Sequence, residues 1–353
     1  MTGRDLDPAF RSYQAIDPAA PEGAGLNLAW TRDERAHLAV DLAAVLAAEL
    51  RAEADDGLPY LDRYLVRDPY GEATLGPAVA AAFGLPAWQD RVTCGAGVVS
   101  LLHGLARLAA GAPVRVLGDT YPDFPYWVAQ TGGACGVEPT APLWFLERPS
   151  LIGDAFAALP EVAALCADAA RHGALVVIDE SNASYAPPAW SAIGQIDLAP
   201  NLIVLRGFSK AYGLGGLRLA YAVASPAATA RVRAVVAPLL AASVSLRLGA
   251  RVLALGDVAA PLRARITAHK PAVLDLLARA GVTALEPASA HLPYVLSRAS
   301  DAELRARLEA RGVLGKRHPC WSARVGGLDH VYRLSVPLDD HRLARLRDLL
   351  AAP

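Results

Sequence analysis

A serine, a lysine and an arginine follow one short apolar run at a spacing that suits a phosphorylated aldehyde. The run covers residues 201–205, and Ser209, Lys210 and Arg218 come directly after it in the segment SKAYGLGGLR. A lysine amine can hold an aldehyde as an imine, while a serine hydroxyl and an arginine guanidinium can bind a phosphate. The glycines between them let the backbone turn tightly and approach a ligand. The alternative is a surface Lys–Arg pair behind a strand.

An acid ends the preceding apolar run, 174–179, at Asp179. Such a run is typical of a parallel strand that is buried on both faces, and ligands gather at the carboxyl ends of these strands. We therefore expect Asp179, 31 residues before Lys210, to face the same site. Its carboxylate can keep a ring nitrogen protonated through a charge-assisted hydrogen bond. The alternative is that Asp179 caps the following turn.

A small-residue turn precedes a helical pattern further upstream. Gly97, Val98 and Val99 lie in the segment TCGAGVVS, directly before the apolar positions of that helix. The first turn of a helix presents backbone N–H groups and a favourable dipole to an anion. The turn lacks the spacing of a dinucleotide fingerprint or a P-loop, so the pattern alone indicates only an anion-binding helix start.

Together these segments resemble the fold-type I pyridoxal 5′-phosphate (PLP) aminotransferases, nearest to the histidinol-phosphate aminotransferase-like branch. The resemblance extends from about residue 25 to the end. It implies that Lys210 holds PLP covalently, that Asp179 contacts the pyridine nitrogen, and that Tyr121 stacks on the ring, although Tyr121 beside a proline could instead be a core aromatic. It also implies that the cofactor's phosphate is bound by Gly97, Val98, Val99, Ser209 and Arg218.

The same resemblance suggests how substrate is bound. Arg333 lies in an alternating, strand-like segment and would bind the substrate α-carboxylate through its planar fork; the alternative is an ion pair on an edge strand. Trp30 and Thr31 are candidates for substrate contact, and Trp30 could equally be buried packing. A homodimer is implied, in which Tyr64 or Tyr70 of one subunit reaches the phosphate of the other. The sequence leaves that choice open.

Two departures from the family pattern concern the cofactor's phenolic oxygen. Relatives carry an Asn-Pro-Thr-Gly loop where this chain has Arg148–Asp154, and a tyrosine where it has Asn182. We expect Asn182 to contact the cofactor and to donate to that oxygen, with Ser150 or Tyr185 as a further donor. An amide does not titrate as a phenol does, so the imine pKa would differ from that of a standard transaminase. The alternative is drift within a transaminase.

These residues predict an aminotransferase that acts on an amino acid-like substrate, with Lys210 as general acid and base. The alternative is a PLP enzyme of elimination, γ-replacement, decarboxylation or cyclisation in natural-product biosynthesis. A third interpretation, the aminotransferase-like module of a transcription regulator, is disfavoured because Lys210 is present and no winged-helix segment precedes the module.

Composition narrows the remaining classes. The chain has 353 residues, 54% of them hydrophobic, and a formal net charge of −1. No basic patch with interleaved aromatics indicates a nucleic-acid partner. No apolar run is long enough for a membrane span and no signal segment is apparent, so we expect a cytoplasmic protein. The four cysteines show neither disulfide-scaffold nor metal-site spacing, which predicts free thiols and no metal.

Alternating strand and helix patterns predict an α/β fold. We expect a large PLP-binding domain over residues 51–245, with a mostly parallel sheet covered by helices, and a small α/β domain over 246–353. Residues 1–50 would form an arm and an amphipathic helix around Glu34–Glu53 that belong to the small domain. Within the large domain the patterns predict a helix over 155–172 and strands over 174–179, 201–206 and 218–223.

Overall fold

The structure is a computed structural model that describes residues 25–31, 34–61, 64, 66–150, 157–282, 284, 290–297, 302–319 and 330–351. Predictions for the N-terminal arm, for Cys320 and for 151–154 of the Arg148–Asp154 segment lie outside these residues. Among the described helices, none is both long and apolar enough to cross a bilayer.

A central sheet has seven strands in the order β2-β8-β7-β6-β5-β3-β4. Only β8 runs opposite to the other strands of this sheet, so the predicted mostly parallel sheet is confirmed. Its strands are β2 (Val92–Gly95), β3 (Val114–Val116), β4 (Cys135–Gly136), β5 (Leu143–Glu147), β6 (Leu175–Asp179), β7 (Leu202–Gly207) and β8 (Ala220–Ala224).

Both faces of this sheet are buried, which explains the continuous apolar runs. Along β6, Val176 and Ile178 belong to one core cluster, whereas Leu175 and Val177 belong to another on the opposite face. Successive strand side chains point to opposite faces, so helices must cover each side. The helices of this part of the chain are α1 (Leu42–Asp55), α2 (Glu72–Phe83), α3 (Val98–Leu105), α4 (Phe124–Gln130), α5 (Leu159–Arg171), α6 (Pro226–Arg233) and α7 (Ser243–Ala254).

The C-terminal part carries a smaller antiparallel sheet in the order β11-β12-β9. A separate two-residue pairing joins β1 near the N-terminus to β10 in parallel. The predicted division of the chain at residues 50 and 245 stays a prediction. The elements are β1 (Leu26–Asn27), α8 (Ala260–Arg279), β9 (Tyr294–Ser297), α9 (Ala302–Ala310), β10 (Val313–Leu314), β11 (Lys316–Pro319), β12 (His330–Ser335) and α10 (Asp340–Ala351).

The amphipathic helix predicted around Glu34–Glu53 is wrong as a single element. A 3-10 turn covers Glu34–His37, and α1 begins only at Leu42. The Asp41 carboxylate accepts a hydrogen bond from the Ala44 backbone N–H at 3.0 Å. Asp at an N-cap satisfies a backbone donor that the first helical turn leaves open, so the helix starts after Asp41.

Candidate active site

One cavity of about 290 Å³ opens at the carboxyl ends of β5, β6 and β7. It brings together predicted residues from both ends of the chain, as expected for a site at this edge of a parallel sheet. Of the predicted site residues, those on its wall are Trp30, Thr31, Val98, Val99, Tyr121, Asp179, Asn182, Ser209, Lys210, Arg218 and Arg333. Gly97 lies directly before Val98.

Lys210 and Asp179 lie on neighbouring strand ends. Lys210 is half-buried in the turn after β7, and its carbonyl accepts from the Gly213 N–H at 2.7 Å. Asp179 is only 3% exposed and accepts from the Ser181 N–H at 2.8 Å. Burial raises the pKa of Asp179, while the Ser181 hydrogen bonds and then the Lys210 charge act to lower it. A cation in the cavity would therefore stabilise the Asp179 carboxylate.

The start of α3 and Arg218 form a tight pocket of backbone and guanidinium groups. Arg218 donates to the Gly215 and Ala96 carbonyls, both at 3.0 Å. Gly97 has a φ of +82°, and an added Cβ would lie 2.3 Å from the Arg218 guanidinium. A side chain at 97 would therefore displace the arginine. This glycine keeps the helix N-terminus and the cation together, which suits an anion.

Tyr121 forms part of the cavity wall. Its ring lies 5.8 Å from that of Trp127 and is tilted by 33° relative to it. Trp127 is buried in α4 and meets His103 edge to face. Tyr121 is thus supported from behind by a packed aromatic, while its own ring remains on the cavity wall.

Arg333 is held in β12 with its guanidinium toward the cavity. It donates to the Ala29 carbonyl at 2.8 Å, and its guanidinium carbon lies 4.4 Å from the centre of the Tyr294 ring. Its Nε has no hydrogen-bond partner among the residues that the structure describes. A planar cation that is stacked on one side and has a free donor suits a carboxylate ligand.

Lys316 adds a second cation beside Arg333. Its ammonium lies 4.9 Å from the centre of the Trp30 ring, and only 7% of the residue is exposed. Burial, together with the charges of Arg333 and Lys210, lowers the pKa of Lys316 to about 7. His318, two residues further along β11, also lines the cavity. This end of the site therefore favours an anionic group on a ligand.

Of the residues involved in the two departures from the family pattern, only Asn182 lines the cavity in the described part of the chain. Asn182 lies on the cavity wall, is 8% exposed, and its side-chain oxygen has no hydrogen-bond partner among the described residues. Arg148 points away and donates to Glu180 at 2.7 Å. Ser150 and Tyr185 are not among the residues that line the cavity; the Tyr185 hydroxyl instead donates to Glu34.

The cavity-lining residues that sequence reasoning missed include Glu34, Glu147, Ser181 and Tyr294. For Glu147 a signal was present, because the run LWFLE over 143–147 ends in an acid as the run LVVID over 175–179 does. The same rule that singled out Asp179 applies to it. Glu34 and Tyr294 reach the cavity through distant loop and sheet contacts that no local pattern indicates.

The two tyrosines left open by the sequence differ in their surroundings. The Tyr70 hydroxyl donates to the Arg233 carbonyl at 3.2 Å, and the Arg233 guanidinium lies 4.7 Å from the centre of its ring. Tyr64 is 86% exposed. Tyr70 is therefore occupied within its own chain, while Tyr64 extends into solvent.

Comparison with known proteins shows the family of this chain. The model of the family described as aminotransferase class I and II matches residues 153–341, more than half of the chain. The chain belongs to the class I and II aminotransferases. The predicted family resemblance is thereby confirmed, and the cavity with Lys210 and Asp179 is the candidate active site of a member of this family.

Curated relatives match parts of the chain. An aromatic amino acid aminotransferase of Mycolicibacterium smegmatis is 39% identical over 34% of this chain, and a histidinol-phosphate aminotransferase of Paramagnetospirillum magneticum is 33% identical over 43%. The matched stretches span 34% and 47% of those relatives' own lengths, so each covers less than half of the relative.

Solved structures share the fold over most of the chain. The histidinol-phosphate aminotransferase of Sinorhizobium meliloti, solved in complex with pyridoxal-5′-phosphate, is 23% identical with a TM-score of 0.65, and 87% of each chain is covered. The Clostridium acetobutylicum histidinol-phosphate aminotransferase reaches a TM-score of 0.72 at 15% identity, over 92% of this chain and 99% of its own. The predicted fold-type I α/β architecture is confirmed.

Proposed function

We propose that this protein is a PLP-dependent aminotransferase that acts on an amino acid through Lys210. The observation that carries this proposal is the convergence of Lys210, Asp179, Arg218 and Arg333 on one cavity in a class I and II aminotransferase. The four side chains supply an amine, a buried carboxylate and two guanidinium groups. PLP offers an aldehyde, a ring nitrogen and a phosphate, and an amino acid adds a carboxylate.

The cavity fits PLP on two features of its own. The absence of a Cβ at Gly97 lets the Arg218 guanidinium lie against the start of α3, so a cation and the backbone N–H groups of the first helical turn can bind one phosphate. Asn182 presents its side-chain amide to the cavity, and the amide NH2 group can donate to the phenolic oxygen. In this proposal Gly97, Val98, Val99, Ser209 and Arg218 would hold the phosphate, and Tyr121, Asp179 and Asn182 would contact the ring.

When bound, PLP supplies an electron sink that stabilises negative charge at the substrate α-carbon. The Asp179 carboxylate holds a proton on the ring nitrogen through a charge-assisted hydrogen bond. The Lys210 amine takes the α-proton and returns it as general acid and base. Arg333 orients the substrate by its α-carboxylate, and Trp30 and Thr31 contact the rest of the substrate.

Transamination is favoured over elimination, replacement, decarboxylation or cyclisation by the names of the curated relatives, which are aminotransferases for aromatic amino acids and for histidinol phosphate. The Arg333 and Lys316 cations support an amino acid substrate that carries its carboxylate at this end of the cavity.

We also propose a cytoplasmic homodimer in which Tyr64 completes the partner's phosphate site. The 86% exposure of Tyr64 supports this choice over Tyr70, which is bonded within its own chain. Cys94, Cys135 and Cys166 are free thiols, as is usual in a reducing compartment. Sedimentation that shows a stable, active monomer would contradict the dimer.

The test of the function uses the scarcity of lysine. The chain has only three lysines, Lys210, Lys270 and Lys316, and two of them line the cavity. We expect borohydride to fix PLP on the peptide that contains Lys210, and amino acids to convert the cofactor to its amine form. Lys210→Ala should abolish both results, whereas the matched variant Lys316→Met should keep the covalent link. A link on Lys316 or Lys270 in wild-type protein would overturn the assignment.

A further inference from the structure

Glu147 is a second buried acid beside Asp179 that the proposed function leaves without a role. It ends β5 directly opposite Asp179 at the end of β6, and both line the cavity. Glu147 is 8% exposed. The groups that face it come from three elements: Asp179 from β6, Asp119 and the Tyr121 N–H from the segment between β3 and α4, and Lys210 from the turn after β7.

Two carboxyl groups at this depth do not ionise together readily, because like charges in a poorly solvated site repel. The Ser181 N–H binds Asp179 at 2.8 Å and favours the anion there. Burial, then the charges of Asp179 and Asp119, raises the pKa of Glu147 well above its usual range, against smaller opposing effects of Lys210 and the Tyr121 N–H. Asp179 has hydrogen bonds from both the N–H and the hydroxyl of Ser181, whereas Glu147 has only the Tyr121 N–H, so the pair favours its proton on Glu147.

A neutral carboxylic acid donates a hydrogen bond, which a carboxylate cannot do. PLP has three polar groups around its ring besides the aldehyde: the nitrogen, the phenolic oxygen and the phosphate. The anionic Asp179 suits a protonated nitrogen, and the start of α3 with Arg218 suits the phosphate. The phenolic oxygen needs a donor.

We propose that Glu147 is the neutral member of a buried carboxyl pair with Asp179 and donates its proton in a hydrogen bond to the phenolic oxygen of bound PLP. The proposal rests on the proposed function, since it requires PLP in this cavity. It makes Glu147 a cofactor-contacting residue, with the Asn182 amide as a second donor on the same wall.

The absorbance titration of the Lys210-bound cofactor distinguishes the states of Glu147. A donor on the phenolic oxygen withdraws negative charge from it and lowers the spectral pKa, whereas a nearby carboxylate raises it. Glu147→Gln keeps a neutral donor, so we expect a spectral pKa within about 0.3 units of wild type. Glu147→Leu removes the donor and should raise the spectral pKa by about one unit. Glu138→Gln, at an exposed acid that does not line the cavity, is the control and should leave the value unchanged.

Two results would overturn the proposal. A spectral pKa that falls by about one unit in Glu147→Gln would show that Glu147 is ionised beside the cofactor. An unchanged value in Glu147→Leu would show that Glu147 does not contact the phenolic oxygen. A protein without any Lys210-dependent cofactor absorbance would instead contradict the proposed function.

A measurement on the PLP-free protein tests the proton itself without activity or cofactor. In protein labelled with carbon-13 at glutamate side-chain carboxyls, we expect one resonance to stay in its protonated position after the exposed glutamates have ionised. Glu147→Gln should remove that resonance, and Asp179→Asn should lower its titration midpoint. If the Glu147 carboxyl titrates together with the exposed glutamates, the proposal is wrong even where the Leu variant does not fold.

Discussion

The ends of β5 and β6 carry acids and bases on both faces of the sheet, and the two faces are built differently. On the face away from the cavity, Glu180 is fully enclosed and both of its carboxylate oxygens are paired twice. One accepts from Arg148 and the Ala192 N–H, both at 2.7 Å, and the other accepts from Arg206 at 2.8 Å and from the Ser191 hydroxyl at 2.6 Å. Both oxygens of Glu180 therefore have their full set of donors.

On the cavity face, one residue earlier on each strand, Glu147 and Asp179 lie side by side. Glu147 accepts from the Tyr121 N–H, and Asp179 accepts from the N–H and the hydroxyl of Ser181. Burial raises the pKa of both. The difference shows how one strand end serves two purposes. The enclosed Arg–Glu–Arg group fixes the ends of the strands, while the incompletely paired carboxyls are left for a ligand.

The largest effect that this comparison predicts is on the free energy of unfolding. Glu180→Leu leaves Arg148 and Arg206 buried without their shared anion, so we expect a loss of about 3–5 kcal/mol. Asp179→Asn removes a charge whose burial is unfavourable and should change stability by less than about 1 kcal/mol. Urea unfolding of the cofactor-free variants measures both. Similar losses for the two variants would break the distinction between the faces.

For kcat, we expect the reverse order, with the larger effect in Asp179→Asn and the smaller in Glu180→Leu. We expect Asp179→Asn to lower kcat by at least about tenfold, equivalent to roughly 1.4 kcal/mol in the barrier, because a neutral pyridine is a poor electron sink. A smaller loss with retained cofactor would indicate that Asp179 only caps the turn.

A third buried ionisable group of the cavity, Lys316, makes the free energy of unfolding depend on pH. Its pKa is about 7 in the folded protein, against 10.5 ordinarily. Below pH 7 both states carry the proton, and the full cost of the buried charge is present. Between about pH 7 and 10.5 the unfolded state keeps a proton that the folded state has lost, so the stability of wild type relative to Lys316→Met rises with pH, by up to about 1.4 kcal/mol per unit. Urea unfolding of both proteins from pH 6 to 9 measures the difference, and parallel curves would contradict the cost of this cation.

Part of this arrangement was readable from the sequence, because it is encoded locally. Continuous apolar runs with polar residues at their ends predicted β6 and β7, and the Lys210 segment follows the second of these strands. The small-residue turn at Gly97 precedes α3 as expected. Arg333 was predicted from its strand pattern and the family resemblance. In each case the residue types and spacing within about ten positions carry the information.

The remaining features depend on contacts between distant residues. Arg148 is a departure from the family's cofactor loop in sequence, yet in the structure it is a partner of Glu180, 32 positions away. Tyr185 was expected near the cofactor and instead bonds Glu34, 151 positions away. Whether a residue at a strand end faces the cavity or the other side of the sheet depends on the strand register and on the elements that pack against each face. A single run of residues specifies neither.

The smallest expected effect comes from Asn182. It tests whether this residue alters the cofactor's chemistry or is a neutral replacement of the family tyrosine. Its amide lies on the cavity wall with an oxygen that has no partner among the described residues. Asn182→Tyr replaces an amide by a phenol near the cofactor's phenolic oxygen, in a site where a hydrogen bond is stronger than in water. We expect the spectral pKa of the Lys210-bound cofactor to shift by about one unit, equivalent to roughly 1.4 kcal/mol between protonation states, and the native rate to fall. Absorbance titration and steady-state rates of both proteins measure this. A variant with the wild-type spectral pKa and rate would show that Asn182 is a neutral replacement. The spectral pKa would then be set by the buried acids of the cavity face.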